Sequence, residues 1–357
     1  MVDTLTTYKE FKTFEDYRTA KEIFSDYIRV FNPKQPLHWN GNKYTSNALA
    51  SFGMEEISFT QKKTFKIFIK LRPKLMIEKG NYNNVLRMRD VPQLYKAFKT
   101  HIMNIGLPLL SDLAEWKVKR IDYAIDIIVN PHLISRYIEL FKQGNITEAL
   151  RNSDVSKRYE YAKNNLYLSG KNYRVNFYDR HTTVRLKEKN REKTYLDTES
   201  LNGVMRFEIQ VRKINATKLR KSGLITKNCV GDFLNIELCK YYISKYYIQI
   251  VGLGDYYTLT EAMAKCKSDT QRSMLCLVKE EGSISEAKKI FIENSSNKRK
   301  TEKRFSERIK KLHANGINPV TIDFGVVENL YSKIMYQIEG SNQILIKRRK
   351  INYEAAS

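Results

Sequence analysis

Residues 119–129 read KRIDYAIDIIV, and their alternation of polar and apolar side chains predicts a β-strand. Asp122 and Asp126 lie four residues apart, so in a strand both carboxylates point to the same face. Tyr123 and the isoleucines alternate with them and point to the other face. We therefore expect one face of this strand to join a hydrophobic core and the other face to present acidic groups.

Two further segments alternate in the same way. In RVNFYDR (174–180), Val175 and Phe177 would face the core, and the other face would carry Arg174, Asn176, Tyr178 and Arg180. In GVMRFEIQVRK (203–213), the polar face would carry Arg206, Glu208, Gln210 and Arg212. Each of the three predicted strands thus has one polar face.

The surrounding sequence predicts an α+β fold. Residues 64–71 and 165–170 also read as strands, while 91–106 and 130–145 have the spacing of amphipathic helices. This mixture indicates a mainly antiparallel sheet with helices on one face. The polar faces would then lie together on the open side of the sheet.

The pattern changes after about residue 225, which predicts two domains. Residues 1–225 would form a catalytic domain, and residues 226–357 a basic helical domain that binds DNA. Residues 258–282, 283–293 and 295–316 read as helices. The last of these carries basic side chains outside its apolar stripe: Lys298, Arg299, Lys300, Lys303, Arg304 and Arg308. Such a run is typical either of a solvated helix face or of a DNA-contacting helix, and we favour the second interpretation.

The net charge indicates a polyanionic partner. The chain has 63 Lys and Arg against 39 Asp and Glu, a formal charge of +24. Nucleic acid is the first candidate for this partner, and an anionic membrane surface is the second. The sequence contains no apolar run long enough for a membrane span, and its N-terminus lacks the apolar core of a signal peptide. We therefore expect a cytoplasmic protein that does not enter membranes.

The three polar faces together suggest phosphoryl-transfer chemistry. Asp122, Asp126 and Glu208 offer the oxygen ligands that Mg²⁺ or Mn²⁺ prefers. A bound cation and the guanidinium groups of Arg174 and Arg180 would stabilise a Tyr178 phenolate attacking a phosphodiester. The attack would form a 5′-phosphotyrosine and release a 3′-hydroxyl, and its reversal would rejoin the strand.

Each element also has a plainer interpretation. An isolated pair of aspartates on a strand is often solvated surface, and Glu208 between arginines is often part of a salt-bridge network. Tyr178 can be a packed strand aromatic. The nearby arginines can balance the acids instead of contacting DNA. The sequence alone leaves these alternatives open.

The order of the motifs resembles a known family. The segments KRIDYAIDI, YRVNFYDR and RFEIQVRK, in that order, are similar to the three core motifs of rolling-circle replication initiators. That group includes filamentous-phage gene II-type proteins and plasmid initiators of the replication-initiation-factor family. FKIFIKLRPKLMIEKGNYNN (65–84), NATKLRKSGL (215–224) and KRFSERIKKLHANGINP (303–319) also resemble segments of the phage-type proteins. The resemblance covers about residues 55–320.

The resemblance implies a nickase-like catalytic domain with Tyr178 as the nicking nucleophile. It implies that Asp122, Asp126 and Glu208 are metal ligands, and that Lys70 and Lys74 contact DNA or support catalysis. The basic surroundings of the acids add Arg120 and Arg206 as expected DNA contacts.

The function expected from these features is initiation of rolling-circle DNA replication in a bacterial host. The protein would bind duplex origin DNA and single-stranded DNA, with a host helicase as a further candidate partner. Two alternatives are a non-catalytic, sequence-specific DNA-binding regulator and a conjugative relaxase of a mobile element.

Overall fold

The computed structural model describes residues 1–41, 43–80, 84–148, 150–152, 165–189, 198–293 and 295–340. Within these ranges the protein is an α+β structure with antiparallel strand pairing throughout its sheet. The sequence predicts this class, and the structure confirms it. The segment 65–84 includes residues 81–83, which lie outside the described residues.

The strands form one sheet. Their bounds are β1 (Val2–Glu10), β2 (His38–Trp39), β3 (Tyr44–Ser46), β4 (Met54–Gln61), β5 (Phe65–Leu71), β6 (Lys117–Ile128), β7 (Arg151–Asn152), β8 (Asn165–Ser169), β9 (Tyr173–Asp179) and β10 (Val204–Val211). The order across the sheet is β2-β3-β4-β5-β1-β6-β10-β9-β8-β7. The segments that the sequence singles out, β6, β10 and β9, are therefore direct neighbours near the middle of the sheet.

Helices follow the strands along the chain and form most of the C-terminal third. Their bounds are α1 (Phe14–Phe31), α2 (Pro73–Ile77), α3 (Val91–Asn104), α4 (Ile134–Lys142), α5 (Arg180–Lys189), α6 (Ala216–Lys221), α7 (Val230–Phe233), α8 (Ile236–Ile250), α9 (Leu259–Lys265), α10 (Asp269–Glu280), α11 (Ile284–Glu293), α12 (Lys298–Ala314) and α13 (Tyr331–Gly340). The helix predicted over 258–282 is two helices, because Cys266 is extended and Ser268 caps α10 through the backbone N–H of Gln271.

The apolar face of the sheet is packed against helices. Phe177 of β9 and Phe207 of β10 stack with ring centroids 4.3 Å apart. Phe141 of α4 and Tyr247 of α8 pack against this stack. The ring centroids of Phe141 and Phe177 are 4.8 Å apart, and those of Tyr247 and Phe207 are 5.9 Å apart. Because this face is buried and closely packed, it fixes the register of the strands. The register in turn places Asp126, Tyr178, Arg206 and Glu208 on the opposite face.

Helices after residue 225 belong to the same core as the sheet. Tyr242 of α8 stacks on Tyr123 of β6 at 5.7 Å, and the Tyr123 hydroxyl donates a 2.9 Å hydrogen bond to the Phe233 carbonyl. One continuous hydrophobic cluster extends from Met1 to Ile338. The division predicted at residue 225 therefore does not coincide with a break in the core. A second, small cluster, separate from that core, consists of Val184 and Leu201.

Candidate active site

The polar faces of β6, β10 and β9 meet in one place. In the antiparallel register, Arg206 lies opposite Asp126 on one side and opposite Tyr178 on the other. Glu208 lies opposite Ala124 and Asn176 in the same way. The alternation of the three segments predicts a shared polar face, and this register confirms it. The candidate catalytic residues lie in adjacent strands although Asp122 and Glu208 are 86 positions apart in the sequence.

Arg206 is at the centre of this face. Its Nε and Nη2 atoms donate to the two carboxylate oxygens of Asp126 at 2.6 and 2.7 Å, and its Nη1 atom donates to Asp3 at 2.9 Å. The residue is only 1% exposed. The sequence predicts a DNA contact for Arg206, but the structure buries its guanidinium between two carboxylates. As placed, Arg206 organises the site and does not reach an external phosphate.

Arg206 keeps both of its carboxylate partners ionised. Burial acts to raise the pKa of Asp126, but the guanidinium of Arg206 outweighs it and the pKa is lowered. Burial also acts to raise the pKa of Asp3, but the charge of Arg206 outweighs it and lowers the pKa to about 2. The three groups therefore form a charged cluster in which Asp3 of β1 and Asp126 of β6 both pair with Arg206 of β10.

Asp122 behaves differently from Asp126 although both lie on β6. Arg120 donates to both of its oxygens, with Nε 2.8 Å from Oδ1 and Nη2 2.6 Å from Oδ2. Burial nevertheless raises the pKa of Asp122 to about 7, because the carboxyl is only 1% exposed and the charge of Glu208 adds to the effect. The expected DNA contact Arg120 thus has two of its donors engaged within the protein.

Tyr178 and Glu208 form the contact that is most relevant to chemistry. The Tyr178 hydroxyl donates to Glu208 Oε2 at 3.3 Å, and Gln210 Nε2 donates to Glu208 Oε1 at 2.8 Å. Burial, together with the charge of Glu208, raises the pKa of the Tyr178 phenol. Burial also raises the pKa of Glu208, with a contribution from Asp3. A buried glutamate with a raised pKa is a better proton acceptor than an exposed one, so Glu208 is placed to receive the phenolic proton.

Two further arginines surround Tyr178. Arg180 begins α5, is 5% exposed, and its positive charge acts on the pKa of Tyr178, Asp3 and Asp126. Arg174 lies over the ring of Tyr167 in β8, with 5.6 Å from its guanidinium carbon to the ring centroid. Both cations therefore lie on the side of the sheet that carries the tyrosine.

Several buried polar atoms on β9 and β10, between Tyr178 and the turn that joins β8 to β9, have no hydrogen-bond partner. Among the described residues these include Arg174 Nε, Asn176 Oδ1 and Gln210 Oε1. The side chain of Asn176 belongs to a residue that is only 6% exposed. Arg174 lies opposite Gln210 in the register, and Asn176 lies opposite Glu208. Buried polar atoms are normally paired, so this row of open donors and acceptors is typical of a site that meets a ligand.

The three acids predicted to bind Mg²⁺ or Mn²⁺ do not form a ligand set as placed. The carboxylate oxygens of Asp122 are occupied by Arg120, and those of Asp126 by Arg206. Glu208 accepts from Tyr178 and Gln210. Across the described ranges, no group of three or more His, Cys, Asp or Glu side chains is arranged to hold a metal ion.

The other predicted DNA contacts lie in two places. Lys70 pairs with Glu55 at 2.7 Å, and Lys74 has an ion pair with Asp90 at 3.3 Å and another with Glu78. The remaining predicted contacts are on α12, where five are exposed and Arg308 lies over the Phe291 ring at 5.0 Å: Lys298, Arg299, Lys300, Lys303, Arg304 and Arg308. Within the described residues, α12 packs mainly against α10 and α11, which lie outside the polar face of the sheet.

Asp3 is the site residue that the sequence reasoning missed. It lies on β1, the strand between β5 and β6, at an irregularity in the pairing with β6. The charged N-terminal sequence does not stand out as a strand, but residues 2–7 (VDTLTT) are rich in β-branched side chains, which favour strands. This enrichment is the feature of the sequence from which β1, the strand beside β6, could have been predicted.

Comparison with known proteins returned no relative: no family model, no curated protein and no solved structure matches the chain. Separately, none of the helices in the described ranges has the length and apolar character needed to cross a membrane.

Proposed function

We propose that the protein nicks and rejoins one strand of DNA, with Tyr178 as the nucleophile, as the resemblance to rolling-circle replication initiators implies. The observation that carries this proposal is the 3.3 Å hydrogen bond from the Tyr178 hydroxyl to Glu208, on the polar face that also holds Arg206. A tyrosine whose proton acceptor is already in place is equipped for in-line attack on phosphorus.

The proposed step balances as a transesterification. A bond forms between the Tyr178 oxygen and phosphorus, and the bond between phosphorus and the 3′-oxygen breaks. Glu208 takes the phenolic proton, the leaving 3′-oxygen takes a proton from water, and the hydroxide so formed takes the proton back from Glu208. The product is a 5′-phosphotyrosine with a free 3′-hydroxyl, and attack by that hydroxyl restores the phosphodiester without ATP. The 3′-hydroxyl would serve as the primer for rolling-circle replication.

The electrostatics of the site support this sequence of events. The raised pKa of Tyr178 keeps the phenol protonated in the free protein. An incoming phosphodiester would bring negative charge next to Arg174 and Arg180, whose guanidinium groups would stabilise the charge on the phosphorus oxygens. Arg206 would hold the strands and the acids in position for the transfer.

A covalent adduct tests the proposal directly. Single-stranded and supercoiled DNA would be incubated with the protein in Mg²⁺, in Mn²⁺ or in EDTA, and adducts that survive denaturation would be mapped by mass spectrometry. We expect an adduct on the peptide that contains residues 174–180. Tyr178→Phe should abolish it while DNA affinity stays within about twofold, because only one hydroxyl is lost.

Tyr167→Phe provides the matched control, since Tyr167 lies on the same face one strand away, opposite Asn176. This variant should keep the adduct. An adduct that persists in Tyr178→Phe would remove Tyr178 from the proposed role. The metal arms report whether Mg²⁺ or Mn²⁺ is needed once DNA is bound.

A non-catalytic DNA-binding regulator is the second candidate. It is favoured by one observation, which is that Arg120 and Arg206 already satisfy the aspartates of β6. Such a protein would bind DNA in a salt-dependent way and would form no adduct under any of the three metal conditions.

A further inference from the structure

A group of exposed cations follows β10 with no acidic residue beside it in the sequence. Residues 212–228 contain no Asp or Glu. We define the β10–α6 patch as Arg212, Lys213, Lys218, Arg220 and Lys221, all of which are exposed. In the described part of the chain, none of the five has an ion pair within 4.0 Å, whereas many other surface cations do. Uncompensated positive charge of this density is a binding surface for phosphates.

The patch is held firmly by its surroundings. The Asn215 side chain caps α6 by accepting from the Lys218 backbone N–H at 3.0 Å. Leu219 is 3% exposed and anchors the helix in the main core. The charged side chains of α6 therefore extend from a fixed helix, which lowers the entropy lost when they bind a ligand.

The patch is also connected to the candidate active site. The backbone N–H groups of Arg212 and Lys213 donate to the Asn172 carbonyl at 2.9 and 3.2 Å, which ties the patch to the turn between β8 and β9. From that turn, β9 runs to Tyr178. Arg212 continues the alternation of the polar positions on β10, two residues beyond Gln210.

Between the patch and Tyr178 lies the row of unpartnered polar atoms. Arg174 is opposite Gln210, and its guanidinium lies over the Tyr167 ring. An aromatic ring and a guanidinium plane are the surfaces on which unpaired bases stack. From Arg206 to Arg212 the strand covers about 20 Å at roughly 3.3 Å per residue. This length accommodates a short stretch of nucleotides.

We propose that the β10–α6 patch binds the backbone phosphates of single-stranded nucleic acid that extends from the Tyr178 site along β9 and β10. This inference rests on the proposed function, because it assigns the path of that enzyme's substrate. A single strand fits better than a duplex because Asn176 and Glu208 are buried beside the path. A flexible strand can approach polar groups that are recessed in this way more closely than a rigid double helix can.

Charge removal on α6 tests this assignment. The Lys218→Gln/Arg220→Gln/Lys221→Gln variant would be compared with the wild type by fluorescence anisotropy of a labelled, mixed-sequence, single-stranded oligonucleotide at several salt concentrations. We expect affinity to fall about tenfold or more, and the slope of log affinity against log salt to become shallower by about 2, at about 0.7 per lost phosphate contact.

The matched control removes the same number of charges at exposed lysines to which no DNA contact is assigned, in Lys34→Gln/Lys96→Gln/Lys99→Gln. It should leave single-strand affinity within about twofold, because the loss depends on position and not only on total charge. Equal losses in the two variants would overturn the proposal. So would competition in which unlabelled duplex displaces the oligonucleotide as well as unlabelled single strand does. Unfolding midpoints of both variants verify that the fold is retained.

The assay separates this inference from the proposed function because it does not require chemistry. Tyr178→Phe should bind the oligonucleotide normally. If the α6 variant binds normally and the adduct on residues 174–180 still forms, the path is wrong and the nuclease stands. If the α6 variant loses binding and no adduct forms with any DNA, the patch stands as part of a non-catalytic protein.

Discussion

The polar face of the sheet and the basic helix α12 both contain arginines, but two of those on the sheet are paired with acids and two of those on α12 are exposed. On the sheet, Arg120 and Arg206 each make bidentate contacts with an aspartate, and Arg206 is almost completely buried. On α12, Arg299 and Arg304 are exposed and have no ion pair among the described residues. The first arrangement fixes internal geometry, and the second leaves the charge exposed to solvent. A net charge of +24 therefore does not reveal which cations are available for binding.

Removing the buried arginine should have the largest effect on stability. Arg206→Met keeps much of the side-chain volume but leaves Asp3 and Asp126 without their cation in a largely buried environment. We expect the free energy of unfolding to fall by about 3 kcal/mol, which is at the low end for a broken buried pair because both acids retain some exposure. Urea denaturation monitored by circular dichroism measures this change.

Arg304→Met is the matched control for that measurement. The same substitution on the exposed side of α12 should alter the free energy of unfolding by less than about 0.5 kcal/mol. If the two variants lose equal stability, the contrast between the sheet face and α12 is wrong.

The two aspartates of β6 should give opposite dependences of stability on pH. Asp126 has a lowered pKa in the folded protein, so its contribution is present above about pH 4 and is lost as the pH falls below the unfolded value. Asp122 has a pKa raised to about 7. The folded protein therefore holds a proton that the unfolded chain releases near pH 4, and stability declines as the pH rises from about 4 to 7.

Asparagine variants separate these two contributions. Asp122→Asn should reduce the decline between about pH 4 and 7, by roughly 1.4 kcal/mol for each unit by which the pKa of Asp122 is raised. Asp126→Asn should instead reduce the loss of stability at lower pH. Free energies of unfolding between pH 3 and 8 provide the comparison, and a pH profile of Asp122→Asn that matches the wild type would contradict the assigned burial.

The sequence was sufficient to predict the polar face but not its internal pairing. Alternation is a local property, so β6, β9 and β10 and the orientation of Tyr178 could be predicted from their own residues. The pairing of Arg206 with Asp126 depends on strand order, which is decided by packing of Phe177 and Phe207 on distant helices. The sequence predicts a metal beside Asp122 and Asp126 because the residues around each aspartate do not show that an arginine will bind its carboxylate oxygens.

The same limit explains why Asp3 and the shared core were missed. β1 pairs between β5 and β6 although more than 50 residues separate it from either strand in the sequence. α8 reads as an apolar helix, but only the structure shows that its Tyr242 and Tyr247 complete the core of the sheet. Long-range contacts of this kind leave no periodic signal in the segments that make them.

The smallest change in stability is expected on α12 itself, where binding should change instead. Lys303 and Glu307 are 4.0 Å apart, with side chains 81% and 55% exposed, so Lys303→Gln should alter the free energy of unfolding by less than about 0.5 kcal/mol. If α12 contacts a DNA duplex, the slope of log affinity against log salt for duplex DNA should become shallower by about 0.9, because one phosphate contact is lost. Glu307→Gln serves as the control, since it breaks the same ion pair but leaves the lysine in place. A duplex salt slope that is unchanged in Lys303→Gln would assign Lys303 to the solvated face of the helix.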